Sequence, residues 1–179
     1  PADFKFDMLV TGDKFGVALG INGLVYAWGS GYAHLPTIQN LKKKVLYIAA
    51  SQKTFVAALE NGSAVSVQRK LTPVYVTIPN EFISMVAASS DAFVCVCKSG
   101  NAFTWSFENQ TPKLLKLSEF QATRCFAYQR NYFFVDSENQ IFCYGGNEDG
   151  SLGLGTSGHV DNPRRIEHKF ESQVIQIAV

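Results

Sequence analysis

Apolar residues recur two apart along most of this chain, in short runs separated by polar or glycine-containing turns. A spacing of two places alternate side chains on one face of a β-strand. The pairs Tyr26/Trp28, Val65/Val67, Phe103/Trp105 and Phe142/Tyr144 each follow a short turn, and each turn is preceded by another apolar run. The turns are Asn22-Gly23, Asn61-Gly62, Ser99-Gly100 and Glu138-Asn139, so their second positions advance by 39, 38 and 39 residues. Hairpin turns need a residue that tolerates positive φ, and Gly, then Asn, tolerate it best. The expectation is a two-residue type I′ turn at each site.

Each turn lies inside a larger unit. Before the hairpin comes an apolar strand, such as Val45-Leu-Tyr-Ile-Ala-Ala50. After it comes a proline with a short apolar patch, at Pro36, Pro73, Pro112 and Pro163. Proline lacks an amide donor and suits the start of an edge strand. Four short strands per repeat of about 40 residues mark a β-propeller blade. The fold expected is therefore all-β, with about four blades, each a four-stranded antiparallel sheet. The repeats run over about 4–44, 45–82, 83–120 and 121–173. Residues 174–179 repeat the pattern of 45–50 and are expected to be the first strand of a further blade.

The fourth unit carries a longer insertion, Gly145-Gly-Asn-Glu-Asp-Gly-Ser-Leu-Gly-Leu-Gly155. It resembles the repeat of the regulator of chromosome condensation family, in which a strand ending in Trp-Gly or a similar pair runs into a loop Gly-x-Asn-x-x-Gly-Gln-Leu-Gly-x-Gly. Gly145, Asn147, Gly150, Leu152, Gly153 and Gly155 fit that pattern, and Ser151 stands in place of the Gln. The first unit keeps Trp28-Gly29 and loses the loop, and the middle units lose the glycines too. The resemblance implies a seven-bladed ring, of which this chain holds an open arc or fragment. Open strand edges invite pairing, so homo-oligomers or pairing with another fragment are expected.

Composition narrows the partners. The formal charge is +1 and charged residues make up 17%, so no electrostatic footprint for nucleic acid is expected. No apolar run reaches the ~20 residues of a membrane helix. The start, Pro1-Ala-Asp-Phe, has no initiator Met and no signal-peptide pattern. We expect a piece of a longer intracellular protein, cytoplasmic rather than nuclear. Cys95, Cys97, Cys125 and Cys143 lack metal-finger spacing and read as buried reduced thiols.

Candidate chemistry is sparse. Gly153-Leu-Gly-Thr-Ser-Gly158 spells a dinucleotide motif, but Asn162-Pro163 stands where its helix would run. His34, His159 and His168 are scattered, and Glu148/Asp149 reads as a solvated loop tip. Asn61-Gly-Ser63 and Asn109-Gln-Thr111 are sequons to which no glycosylation is assigned. Lys42-Lys-Lys44 reads as a solvated loop, and Arg69, Lys70, Lys113, Lys116, Arg164, Arg165 and Lys169 as a basic rim or ordinary surface charge. Tyr32 and Phe107 follow third strands, where an aromatic either binds a partner or packs against the next blade. The protein-contact residues expected are Tyr32, His34, Arg69, Phe107, Glu148 and Asp149, with no catalytic, metal or cofactor-binding residue.

These features point to a non-catalytic platform for a protein partner within a larger multidomain protein. The alternative comes from the resemblance: guanine nucleotide exchange on a small Ras-superfamily GTPase of the Ran kind. The family performs exchange with a protruding β-wedge, and no long insertion here resembles one.

Overall fold

The structure is a computed structural model that describes residues 5–68, 71–90, 92–107, 109, 111–115, 117, 120–168 and 172–177. Among the described residues, sixteen strands form four sheets, each of four strands in sequence order. The first sheet contains β1 (Phe6–Thr11), β2 (Phe15–Gly20), β3 (Val25–Gly29) and β4 (Thr37–Gln39). The second contains β5 (Val45–Ala50), β6 (Thr54–Leu59), β7 (Ala64–Gln68) and β8 (Val74–Val76). The third contains β9 (Ile83–Ala88), β10 (Ala92–Cys97), β11 (Ala102–Ser106) and β12 (Lys113–Leu114). The fourth contains β13 (Ala122–Tyr128), β14 (Asn131–Asp136), β15 (Ile141–Gly145) and β16 (Val160–Arg165). The all-β architecture of four-stranded antiparallel blades is what the period of the sequence dictates.

The chain divides into two compact units, Pro1–Val86 and Ala87–Val179. In the first, alternate residues of β2 (Phe15, Val17, Leu19) and β3 (Val25, Ala27) meet Val45, Ile48, Phe55, Ala57, Leu59, Val65 and Val67 of the second sheet. The second strands β2, β6 and β14 are buried at every residue. That burial explains their near-continuous apolar runs, since both faces are covered. In the second unit, Phe133, Val135, Ile141 and Cys143 pack with Leu152 and Val160 from outside the hairpin.

The hairpins keep the expected positions but use a different turn. Positive φ occurs only at the second turn residue, with values of 78°, 81°, 87° and 64° at Gly23, Gly62, Gly100 and Asn139. The amide of each donates to the carbonyl three residues back: Gly20 (2.9 Å), Leu59 (2.9 Å), Cys97 (2.9 Å) and Asp136 (3.3 Å). The amides of these same four residues, Gly20, Leu59, Cys97 and Asp136, donate in turn to the carbonyls one residue beyond the turn, of Leu24, Ser63, Asn101 and Gln140. This is a type I turn closed by a left-handed residue, the three-residue hairpin, in place of type I′. The preceding residues need no positive φ, because their side chains serve as acceptors. Asn22 Oδ1, Asn61 Oδ1 and Ser99 Oγ accept the amides of Leu24, Ser63 and Asn101. In the fourth hairpin Asp136 Oδ1 takes that part, accepting from the amides of Glu138 and Gln140.

Each turn also receives the chain that begins the next strand group. The amides of Val45, Ile83 and Ala122 donate to the carbonyls of Gly23, Gly62 and Gly100, each at 3.0 Å. At the fourth turn the side chain of Asn139 substitutes for the carbonyl. Its Oδ1 accepts the Val174 amide at 2.7 Å and its Nδ2 donates to Ser172 O at 2.8 Å. The Arg124 guanidinium donates to Val174 O. Residues 174–177 form no strand, because their backbone has no ladder partner among the described residues; 178 and 179 lie outside them. The fourth edge strand also starts earlier than its proline suggested. β16 begins at Val160, and Pro163 sits inside it next to a bulge in the pairing with β15, which only an edge strand tolerates.

Candidate functional site

The glycine loop leaves the end of β15 and returns at β16. Gly145 opens it at φ 120°, with a virtual Cβ only 2.0 Å from Arg130 O, so no side chain fits there. Asn147 organises the rest and is fully buried. Its Nδ2 donates to Thr156 O at 2.7 Å and its Oδ1 accepts the Leu152 amide at 3.0 Å. Its carbonyl accepts the amides of Gly150 (3.2 Å) and Gly158 (2.8 Å). One side chain and one carbonyl thus tie both arms of the loop together.

Leu152, also fully buried, anchors the loop in the core with Phe133, Ile141 and Cys143. Ser151, in place of the family Gln, accepts a 2.6 Å bond from Asn131 Nδ2 and so ties the loop to the start of β14. Gly150, Gly153, Gly155 and Gly158 all have positive φ, which explains the density of glycine. The motif Gly153–Gly158 is therefore spent on loop geometry, and no helix follows it.

Glu148 and Asp149 form the exposed tip. A hydrogen bond from the Ser151 hydroxyl, joined by one from the Ser151 amide, lowers the Asp149 carboxyl below its ordinary range and keeps it ionised. The tip is thus a preorganised anionic point on a rigid loop.

The other expected contact residues are dispersed. Tyr32 packs into the first core, its ring 5.6 Å from Phe15 and 6.4 Å from Phe55. Phe107 stands edge-on to Phe93 at 4.5 Å. Both aromatics belong to blade packing, because the residue after a third strand folds back over the sheet. His34 is exposed in the loop before β4. Arg69 lies outside the described residues, as do Lys70, Lys116, Lys169 and Gln110. Of the basic rim, Lys113 and Arg164 are exposed. Arg165 is engaged by Gln140 Oε1 at 2.8 Å and Glu167 Oε2 at 3.0 Å.

A cavity of about 540 Å³ lies at the opposite end of β15, lined by Glu138, Asn139, Gln140, Arg165, Ile166, Glu167 and His168. Its charges are mixed and partly paired. Among the described residues, no group of three or more His, Cys, Asp or Glu could hold a metal ion. Nor is any helix there long and apolar enough to cross a membrane. Sequence reasoning matched Asn147 to a pattern but missed why it is needed; the signal was a lone Asn among glycines. Asn131 and Asp136, both buried, gave no signal beyond closing apolar runs.

Sheets and loop together define a propeller of the regulator of chromosome condensation type. Residues 138–179 match the family model "Regulator of chromosome condensation (RCC1) repeat". Human WBSCR16 superposes with a TM-score of 0.82 at 16% identity, covering 94% of this chain and 54% of that one. Yeast RCC1 (Prp20), solved with Kap60, gives 0.77 at 16% identity, with 94% and 50% covered. Saccharomyces cerevisiae Prp20p, described with its binding properties to Gsp1p and histones, gives 0.77 at 16%, with 94% and 52% covered. The chain spans about half the length of these structures. A search of curated proteins gave no match. The chain therefore contains an RCC1 repeat and has the RCC1-type propeller fold. The cytoplasmic expectation is corrected by these comparisons, since Prp20p is described with histones, the proteins of chromatin. Near-neutral charge carried no information on compartment.

Proposed function

We propose that this chain is a GTPase-contacting segment of an RCC1-type propeller in a nuclear protein. It works by surface complementarity, with no bond chemistry of its own. The observation that carries the reading is the likeness over 94% of the chain to Prp20p, which is described as binding Gsp1p. The retained RCC1 repeat at 138–179 supports it. The loop tip at Glu148 and Asp149 is the contact we assign, because it is rigid, exposed and charged.

The test is binding of the purified chain to a panel of Ras-superfamily GTPases, nucleotide-free and GDP-loaded, with release of a fluorescent nucleotide followed in parallel. Binding of a Ran-type member, weakened about tenfold by Glu148→Lys with Asp149→Lys, is the expected result. Absence of binding across the panel overturns it. A second reading, a platform that binds histones and no GTPase, is favoured by the anionic tip, which suits a cationic partner. Histone binding lost in the same variant, with the GTPase panel silent, would select it.

A further inference from the structure

The three consecutive lysines between β4 and β5 sit on a turn that is tied down at both ends. Leu41, just before them, is buried in the first core. Its carbonyl accepts the Tyr75 hydroxyl at 3.2 Å. Lys42 takes a left-handed conformation, φ 62°, with its amide on Asn40 Oδ1 at 3.3 Å and its ammonium 5.9 Å from the Tyr75 ring centre. The Lys44 amide donates to Glu60 Oε1 at 3.2 Å, and the Lys44 carbonyl accepts the Glu60 amide at 2.9 Å. The turn is thus a rigid mount. All three lysines are exposed, and Lys43 and Lys44 have no ion-pair partner among the described residues.

Beside this mount runs a groove of about 460 Å³. Leu24 and Ile38 line it, 40% and 57% exposed. Its charged lining is Lys42, Lys43 and Lys44 against the single carboxylate of Glu60, which the Lys44 amide already engages. On a chain whose formal charge is only +1, this is a local cationic rim around an aliphatic floor.

We propose that this groove binds an extended acidic segment of a partner protein, in which an apolar side chain is flanked by Asp or Glu. The apolar side chain seats on Leu24 and Ile38, and the carboxylates meet Lys43 and Lys44. Charge complementarity selects the occupant. A single-stranded nucleic acid would call for aromatic platforms under its bases, and the floor here is aliphatic. A flat anionic membrane cannot fill a concave groove. The inference is independent of the GTPase reading, since it uses only residues of the first unit.

The test is fluorescence anisotropy of a labelled peptide in which Leu alternates with Asp, titrated with the whole chain at two salt concentrations. Expected are saturable binding that weakens with salt and an affinity loss of about tenfold on Lys43→Glu with Lys44→Glu. Ile38→Asp should weaken it as well. Lys53→Glu, half that charge change at another exposed site of the unit, should leave it unchanged. Circular dichroism and Lys43→Ala with Lys44→Ala guard against a misfolded variant: the alanine pair must still lose affinity. Equal binding of an Asp-only peptide overturns the groove, and so does equal loss in Lys53→Glu. Tighter binding of single-stranded DNA or anionic vesicles, abolished by the same lysine variant, also overturns it.

Discussion

Replacing Asn147 by Ala tests the construction of the RCC1 loop. The substitution removes the donor to Thr156 O and the acceptor of the Leu152 amide. Both bonds belong to a side chain with no solvent exposure, so water does not replace them at once. A buried polar group left unsatisfied costs about 1–3 kcal/mol; at about 1–2 kcal/mol each, for a loop that relaxes around them, two give roughly 2–4 kcal/mol. The loss falls first on local opening of the loop, which is otherwise held in the core by Leu152 and the partly buried Leu154. Hydrogen exchange at the Leu152 amide reads that opening directly. Its protection should drop roughly 30- to 700-fold, the same free energy expressed as a ratio. Asn147→Asp should do at least as much harm at neutral pH, because a carboxylate oxygen would face the Thr156 carbonyl. That harm should ease as pH falls and the introduced carboxyl gains a proton to donate. A change in protection below about threefold for Asn147→Ala would refute the reasoning.

Two further outcomes follow from the hairpins and the thiols. Gly62→Val places a β-branched residue at φ 81° with its Cβ 2.7 Å from Phe82 Cδ2. Gly150→Ala at φ 76° meets nothing within 4 Å. The second should cost about 1 kcal/mol of conformational strain and the first about 2–3 kcal/mol; equal urea midpoints would refute the close approach. The thiols of Cys95, Cys97, Cys125 and Cys143 are all buried, and burial pushes the Cys143 thiol from 9.0 up to about 11. Cys125 is raised by burial, and Cys95 by its bond to Cys97 and then by burial. The unfolded chain therefore loses thiol protons first. Stability should hold below pH of about 9 and fall as pH rises toward the folded values. A melting temperature that does not fall between pH of about 8.5 and 10.5 would contradict this.

The blades were legible because their signals are local. Residues two apart, with a left-handed turn residue every thirty-nine or so positions, fix strand and hairpin without knowledge of tertiary contacts. The turn type was not legible. Asn22, Asn61 and Ser99 look like residues chosen for positive φ, and they serve instead through side-chain acceptors. The edge strand at Val160 was hidden by Pro163, since proline marks an edge but not which residue begins it. Tyr32 and Phe107 were ambiguous for a related reason: whether an aromatic beyond a third strand faces solvent depends on what folds over it, and the ring contacts with Phe15 and Phe93 are tertiary. For Asn147, the family pattern gave its position but not its role, because the groups it satisfies lie three to eleven residues further on.

The bond from each hairpin tip to the start of the following strand group, through a carbonyl in the first three and the Asn139 side chain in the fourth, sets where the chain tolerates insertions and deletions. Every length between a third strand and the next first strand is acceptable if the returning amide can reach the same hairpin tip. The long excursion of the fourth repeat illustrates this, since Val174 still arrives at Asn139. Evolution can therefore lengthen or delete the outer loops without moving the hairpins, whereas one residue added inside a hairpin would flip its alternation and detach the neighbour. Loop decay in the first three repeats is thus the change this scaffold absorbs most readily.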